Sequence, residues 1–113
     1  MNKTQIKQTE KLLQELRRGA VVLAVLGRLR KPHYGYSLRQ ELSQRGFEVN
    51  EGTLYPLLRR LEAQGLLESE WDVSEGRPRR YYIVSDAGQE TLLEMKAEWK
   101  YLGTVMERVL AES

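Results

Sequence analysis

The sequence predicts a mainly α chain with one small β-hairpin, arranged as a winged helix-turn-helix plus a C-terminal dimerisation helix. Three observations lead there. Leu54, Leu57, Leu58 and Leu61 recur at i, i+3, i+4 and i+7 in a segment closed by Gly65, the mark of a helix with one buried face. Directly after it the period drops to two, with Leu67, Ser69, Trp71 and Val73 alternating with Glu68, Glu70 and Asp72, as in a half-covered strand with an acidic outer face. Beyond Ser85 the period lengthens again through Leu92, Met95, Trp99, Leu102, Met106 and Val109, whose alternating spacings of three and four form an a/d heptad stripe.

The remaining elements follow in chain order. Residues from about Thr4 to Arg18 are helix formers, with Ile6, Leu12, Leu13 and Leu16 on one side. Ala20 to Leu29 is apolar almost all round and belongs at the centre of the core. Gly19 either separates these stretches or merely weakens one continuous helix, and Lys31-Pro32 ends it. A second helix from about Tyr36 to Arg45 stops at Gly46, a C′ glycine. Its start is open: Ser37 with Gln40 forms a capping box, or Gly35 is the N-cap.

Phe47-Glu48-Val49 is a short extended link. If the third helix starts after Asn50, Pro56 falls in its second turn and removes a backbone bond. If Thr53 is the N-cap, Pro56 sits where the missing N–H is an orphan anyway. A distorted first turn is expected. Ser74 to Pro78 is a turn, and Arg80 to Val84 is the returning strand, with Trp71 expected in the core. Ser85 or Asp86 caps the last helix, which continues to about Leu110. Residues 1–84 thus form the winged helix-turn-helix, with an N-terminal helical extension over 1–18, and 85–113 the dimerisation helix.

Composition narrows the function classes. A chain of 113 residues makes one domain with no room for a separate catalytic one. Cysteine is absent and His33 is the only histidine, which removes disulfides, thiol nucleophiles and a histidine metal cluster within one chain. No cofactor and no metal site is expected. His33, beside Pro32, reads as a surface residue. Glu68, Glu70 and Asp72 lack a histidine or glycine-rich loop around them, so the chain is not expected to be an enzyme. The charged N-terminus has no apolar signal-peptide core, and the longest apolar run, Ala20 to Leu26, is too short to span a bilayer. A cytoplasmic protein without a membrane partner is expected.

The net charge of +2 hides an asymmetry. Residues 1–65 carry 12 Lys/Arg and 6 Asp/Glu, whereas residues 66–113 carry 6 Lys/Arg and 10 Asp/Glu. A basic front and an acidic rear suit a protein that meets a polyanion with one face. The third helix supplies such a face. Opposite its leucines lie Gly52, Pro56, Arg59, Arg60 and Ala63, small residues for close approach and guanidinium groups that can bond phosphates or a guanine edge. Tyr55 on the flank can donate to a phosphate. The hairpin tip adds Arg77, Arg79 and Arg80 beside the stiff Pro78, a ribbon able to touch backbone or minor groove. An ordinary solvated helix face and a solubilising loop are the plainer readings of each part alone. Their adjacency favours DNA.

In the last helix, Leu92, Met95, Trp99, Leu102, Met106 and Val109 form the expected dimer seam, unless this face packs on its own domain. A homodimer supplies two reading helices for a pseudo-palindromic operator. Trp99, midway along the stripe, lies near its own copy in a symmetric pair. There it either packs as a large seam residue or parts to admit a flat aromatic guest. Arg18, Val22, Met95 and Gly103 are candidates for the remaining walls, Met95 being adaptable and Gly103 leaving space.

The segments HYGYSLRQEL, EGTLYPLLRRLEAQGLL and GRPRRYYIVSDAGQE, with the closing amphipathic helix, resemble the PadR family of bacterial transcriptional regulators. The likeness runs from about Gly19 to Leu110. It implies the smaller subtype, which dimerises through its last helix and usually represses transcription. It also implies DNA contacts at Tyr36, Thr53, Tyr55, Arg59 and Arg60, and on the wing at Arg77 and Arg79. Trp99 resembles the tryptophan of the multidrug-binding members, whose paired indoles grip flat aromatic compounds. The polar stretch before Gly19 is longer than the family's usual start and can cover a central pocket. The expected function is therefore a DNA-binding repressor released by a small aromatic effector at the dimer interface. The alternatives are an effector-independent regulator and a protein-interaction adaptor.

Overall fold

The computed structural model describes residues 1–112, so that Ser113, the end of the expected dimerisation segment, lies outside the described residues. The elements run α1 (Lys3–Arg28), β1 (His33–Tyr34), α2 (Gly35–Gln44), α3 (Glu51–Ala63), β2 (Leu67–Asp72), β3 (Arg79–Val84) and α4 (Asp86–Leu110). The winged helix-turn-helix order is as expected. Gly19 does not split the first helix, because a penalty of about 1 kcal/mol is small beside the packing of a long amphipathic helix. The helix begins at a capping box formed reciprocally by Asn2 and Gln5.

Two glycines shape the turns on either side of α3. Gly46 and Gly65 have φ of 87° and 80°, the left-handed region that glycine enters without strain. Each ends its helix in a Schellman motif: Phe47 N–H donates to the Leu42 carbonyl, and Leu66 N–H to the Leu61 carbonyl, both at 2.9 Å. The start of α2 differs from both sequence-based options. Tyr34 is the N-cap without a side-chain bond, and Ser37 Oγ donates back to the Tyr34 carbonyl at 3.0 Å. Asn50, rather than Thr53, caps α3, and its side chain accepts from Thr53 N–H at 2.9 Å. Pro56 therefore lies inside the helix.

The sheet has three antiparallel strands in the order β1-β3-β2. Two-residue β1, invisible to periodicity, pairs His33 with Tyr82 and Tyr34 with Tyr81. Strands β2 and β3 pair from Leu67 opposite Val84 to Asp72 opposite Arg79. The core gathers Val25, Leu26 and Leu29 of α1, Leu38 and Leu42 of α2, and the four predicted leucines of α3.

Three expectations of burial change. Trp71 is 60% exposed, because the hairpin runs on past the three-helix core: its face is the inner one, but only the Arg80 guanidinium lies over the ring there. His33 is half-buried in β1 and its Nε2 lies 3.2 Å from Glu41, which also pairs with Arg28, so it is not a free surface residue. Leu92 is buried in its own chain's core beside α1 rather than left for a seam. The reason is the tight start of α4. Ser85 caps the helix, accepting from Gly88 N–H at 3.0 Å and donating to the Gly65 carbonyl at 2.6 Å. Gly88 lies so close to the Leu66 carbonyl that a Cβ would collide with it.

Candidate nucleic-acid interface

Helix α3 presents Gly52, Thr53, Pro56, Arg59, Arg60 and Ala63 to solvent, while its leucines face inward. Neither Arg59 nor Arg60 has an acidic partner among the described residues. Tyr55 is half-buried on the flank, and its ring rests on Gly35, where a Cβ would overlap it. This contact seats the start of α2 against α3. The next residue, Tyr36, is 60% exposed and accepts from Gln40 Nε2 at 3.1 Å. Arg39, unremarked in the sequence, fixes the other end of the turn. Its Nε donates to the Val49 carbonyl at 3.2 Å and its Nη1 to Glu51 at 3.1 Å.

The wing is tied to α3 by a residue whose sequence position placed it among the wing's contacts. Arg80 turns away from the tip, donating to Ser69 Oγ at 2.8 Å and to the Glu62 carboxylate at 3.1 Å, with its guanidinium 5.5 Å from the centre of the Trp71 ring. Ser69 also donates to Glu62. The Arg80–Glu62–Ser69 cluster thus sets the angle between ribbon and helix. Signals for it were present in the unlike charges of Glu62 and Arg80, but not their meeting.

Arg77 and Arg79 remain at the exposed end. Arg77 is without an ion pair among the described residues, and Arg79 lies 3.3 Å from Glu75 and 4.1 Å above the Tyr34 ring. Below it, Tyr34 donates its hydroxyl to Asp72. Bonds from the Ser74 hydroxyl, from Tyr34 and from the Ser74 amide hold the Asp72 carboxyl down to about 2. The same bond raises Tyr34, and a bond to Glu70 raises Tyr81. Glu70 and Asp72 of the acidic strand face are therefore taken up by hydroxyl and amide donors at the wing's base.

Within one chain the residues proposed for an aromatic site separate into two places. Arg18 and Val22 of α1 line a cleft of about 510 Å³ against α3, with Thr53, Pro56 and Arg60 on the far wall. Trp99, Met95 and Gly103 are not among its walls. Trp99 is 59% exposed on α4, Met95 packs partly on the core, and a Cβ at Gly103 would meet nothing. Leu102, Met106 and Val109 continue the exposed apolar stripe.

The profile of the transcriptional regulator PadR-like family matches residues 22–94. This chain belongs to that family. A transcriptional regulator of Mycobacterium tuberculosis is 47% identical over 83 residues, which are 73% of this chain and 78% of the relative. The crystal structure of a PadR family transcriptional regulator from Eggerthella lenta is 41% identical, with a TM-score of 0.89 over 99% of this chain and 100% of that one. A PadR-like transcription factor from Bacteroides fragilis is 35% identical, with a TM-score of 0.75 over 88% and 98% of the two chains. The near-complete overlap with the Eggerthella lenta protein takes in the long first helix, so the front extension is no departure from that PadR structure. The PadR-like family is one of transcriptional regulators rather than enzymes, and no described helix is long and apolar enough to cross a membrane.

Proposed function

We propose that this PadR-family protein is a homodimeric, cytoplasmic transcriptional repressor that lays α3 in the major groove of a pseudo-palindromic operator. The observation that carries this reading is the basic surface of one piece. Arg59 and Arg60 on α3 and Arg77 and Arg79 on the wing are exposed, and the wing's angle to α3 is held by Arg80 and Glu62. Thr53 and Tyr55 on α3, with Tyr36 on α2, supply hydroxyl donors for flanking phosphates. Within this reading, residues 1–84 are the DNA-binding head. Residues 85–113 are the pairing segment, whose first turns also complete the head's core through Leu92.

Pairing uses Met95, Trp99, Leu102, Met106 and Val109, with the second copy covering a stripe that its own chain leaves exposed. Two Trp99 indoles facing each other there would admit a flat aromatic effector, with Met95 and Gly103 on the same helix. An effector that favours one spacing of the two heads changes operator affinity. Arg18 and Val22 lie in the α1–α3 cleft, and would join such a pocket only if the partner's helix crossed it.

Titration of an operator duplex at several salt concentrations tests the DNA reading. Affinity should fall steeply with salt, as counterion release requires. Arg77→Ala should weaken all sequences alike, and Arg59→Ala or Arg60→Ala should also alter base preference, at about 1–3 kcal/mol per lost base contact. Salt-independent binding, or no loss when all three are removed, would end it. For the effector, planar aromatic cations should quench wild-type tryptophan emission more than that of Trp99→Ala, in which Trp71 alone emits. Equal quenching would leave an effector-independent regulator.

A further inference from the structure

We infer that α1 is a third DNA-contacting element, whose Arg17 and Arg18 each hold a backbone phosphate on the flank of α3 opposite the wing. The inference rests on the DNA-binding reading above and adds to it a contact outside the winged helix-turn-helix. Its basis is the cleft between α1 and α3. Arg17 and Arg18 line one wall, and Thr53 and Arg60, both on the exposed side of α3, line the other. Three guanidinium groups and a hydroxyl thus converge on one opening, beside the surface proposed to enter the groove. Arg17, Arg18 and Arg60 form no ion pair with any described acid. The acid in the cleft, Glu48, accepts from the Ser43 hydroxyl instead of pairing with them.

The sequence of α1 extends this wall. Lys3, Lys7, Lys11, Gln14 and Arg18 recur at i, i+4, i+8, i+11 and i+15, which at 3.6 residues per turn places them on one side of the helix. The exposed apolar residues Ile6, Leu12, Leu13 and Leu16 fall on the other side. All three lysines are exposed and without ion pairs among the described residues, while Glu10 and Glu15 sit at the two edges of the row. A row of one sign leading to a cleft at the reading helix matches a rod of phosphates. The two flanks of α3 then act as a clamp. The wing grips one strand's backbone with Arg77 and Arg79, and α1 grips the other side with Arg17 and Arg18.

Phosphate contacts are independent of sequence, so a mixed-sequence duplex several helical turns long serves as the probe, read by fluorescence anisotropy across a salt series. Arg17→Gln with Arg18→Gln should weaken binding about tenfold at low salt and flatten the log–log salt slope by about 1.8, the loss of two phosphate contacts. Arg17→Lys with Arg18→Lys should keep most of the slope, because a phosphate contact needs the charge more than the fork. Lys96→Gln with Lys100→Gln on α4 removes the same charge elsewhere and should leave the slope at its wild-type value. Helix content and melting temperature of each variant show that the fold is intact. A wild-type slope in the Arg17/Arg18 variant overturns the inference, as does an equal loss in the Lys96/Lys100 variant, which would make net charge the cause. Weakened binding at unchanged slope also overturns it, because α1 would then act only through the shape of the cleft. A wild-type protein that binds no duplex at low salt defeats the DNA-binding reading itself.

Discussion

Helices α1 and α4, at 26 and 25 residues the two long helices of the protein, are each two different helices in physical terms. The C-terminal part of α1, around Val25 and Leu26, and the N-terminal part of α4, around Gly88 and Leu92, are buried in the head. The outer halves carry comparable apolar side chains and leave them in water: Leu12 and Leu16 are 64% and 77% exposed, and Trp99 and Val109 59% and 64%. Apolar surface costs about 25 cal/mol per Å² when left wet, and the proposed pairing would recover on these outer halves what the single chain leaves uncovered. The head is covered within one chain. The arms are not.

Four measurements would break or sharpen that contrast. The largest effect belongs to the head. Leu58 is fully buried, and Leu58→Ala should lower unfolding stability by about 2–5 kcal/mol in urea titration. Leu16→Ala in a monomeric variant should change it by less than about 0.5 kcal/mol. Similar losses at both sites would mean that the arm is packed within the chain.

Replacing Leu102 and Met106 together with Asp buries unpaired charge in the proposed seam. Sedimentation should show a monomer where the wild type is a dimer, with the hydrogen-exchange protection of the head retained. An unchanged dimer would move the seam to another surface, and a molten head would show that the arms hold it together.

The glycines give a finer comparison. Gly88→Ala pushes a methyl group into the Leu66 carbonyl and the Val84 side chain, and should cost about 1–3 kcal/mol. Gly19→Ala meets nothing within 4 Å, and should instead stabilise by up to about 1 kcal/mol through helix propensity. Thermal melts of the two variants should therefore shift in opposite directions.

The smallest effect concerns the wing. Asp72 titrates at about 2 in the folded chain, below its usual 3.8. The ionised form is thus favoured by folding, and its contribution is complete above about pH 4 and lost as pH falls towards 2. Protection of the Ser74 amide, whose N–H donates to Asp72 at 3.0 Å, measured against its intrinsic exchange rate at each pH, should fall over that window. It should be low at all pH values, without the window, in Asp72→Ala.

Much of this architecture was legible in the chain. The four leucines of α3, the glycines after α2 and α3, the turn at Ser74 to Pro78 and the serine cap of α4 are properties of short contiguous segments. Period and φ preference act over a few residues, so sequence alone determined the order of the helices and the hairpin and the face that each would turn inward, though not the two-residue β1. Whether that face found a cover was another matter. Trp71 alternates inward as expected yet ends beyond the core, and Leu92 begins the heptad stripe yet is absorbed by its own head. Arg80 shares a basic tip with Arg77 and Arg79, but Glu62 and Ser69 claim it. His33 meets Glu41 only because a two-residue strand adds to the sheet's edge. In each case the outcome depended on which distant segment arrived opposite. Such meetings belong to the tertiary structure, because burial and ion pairing are properties of two surfaces and a local pattern describes only one.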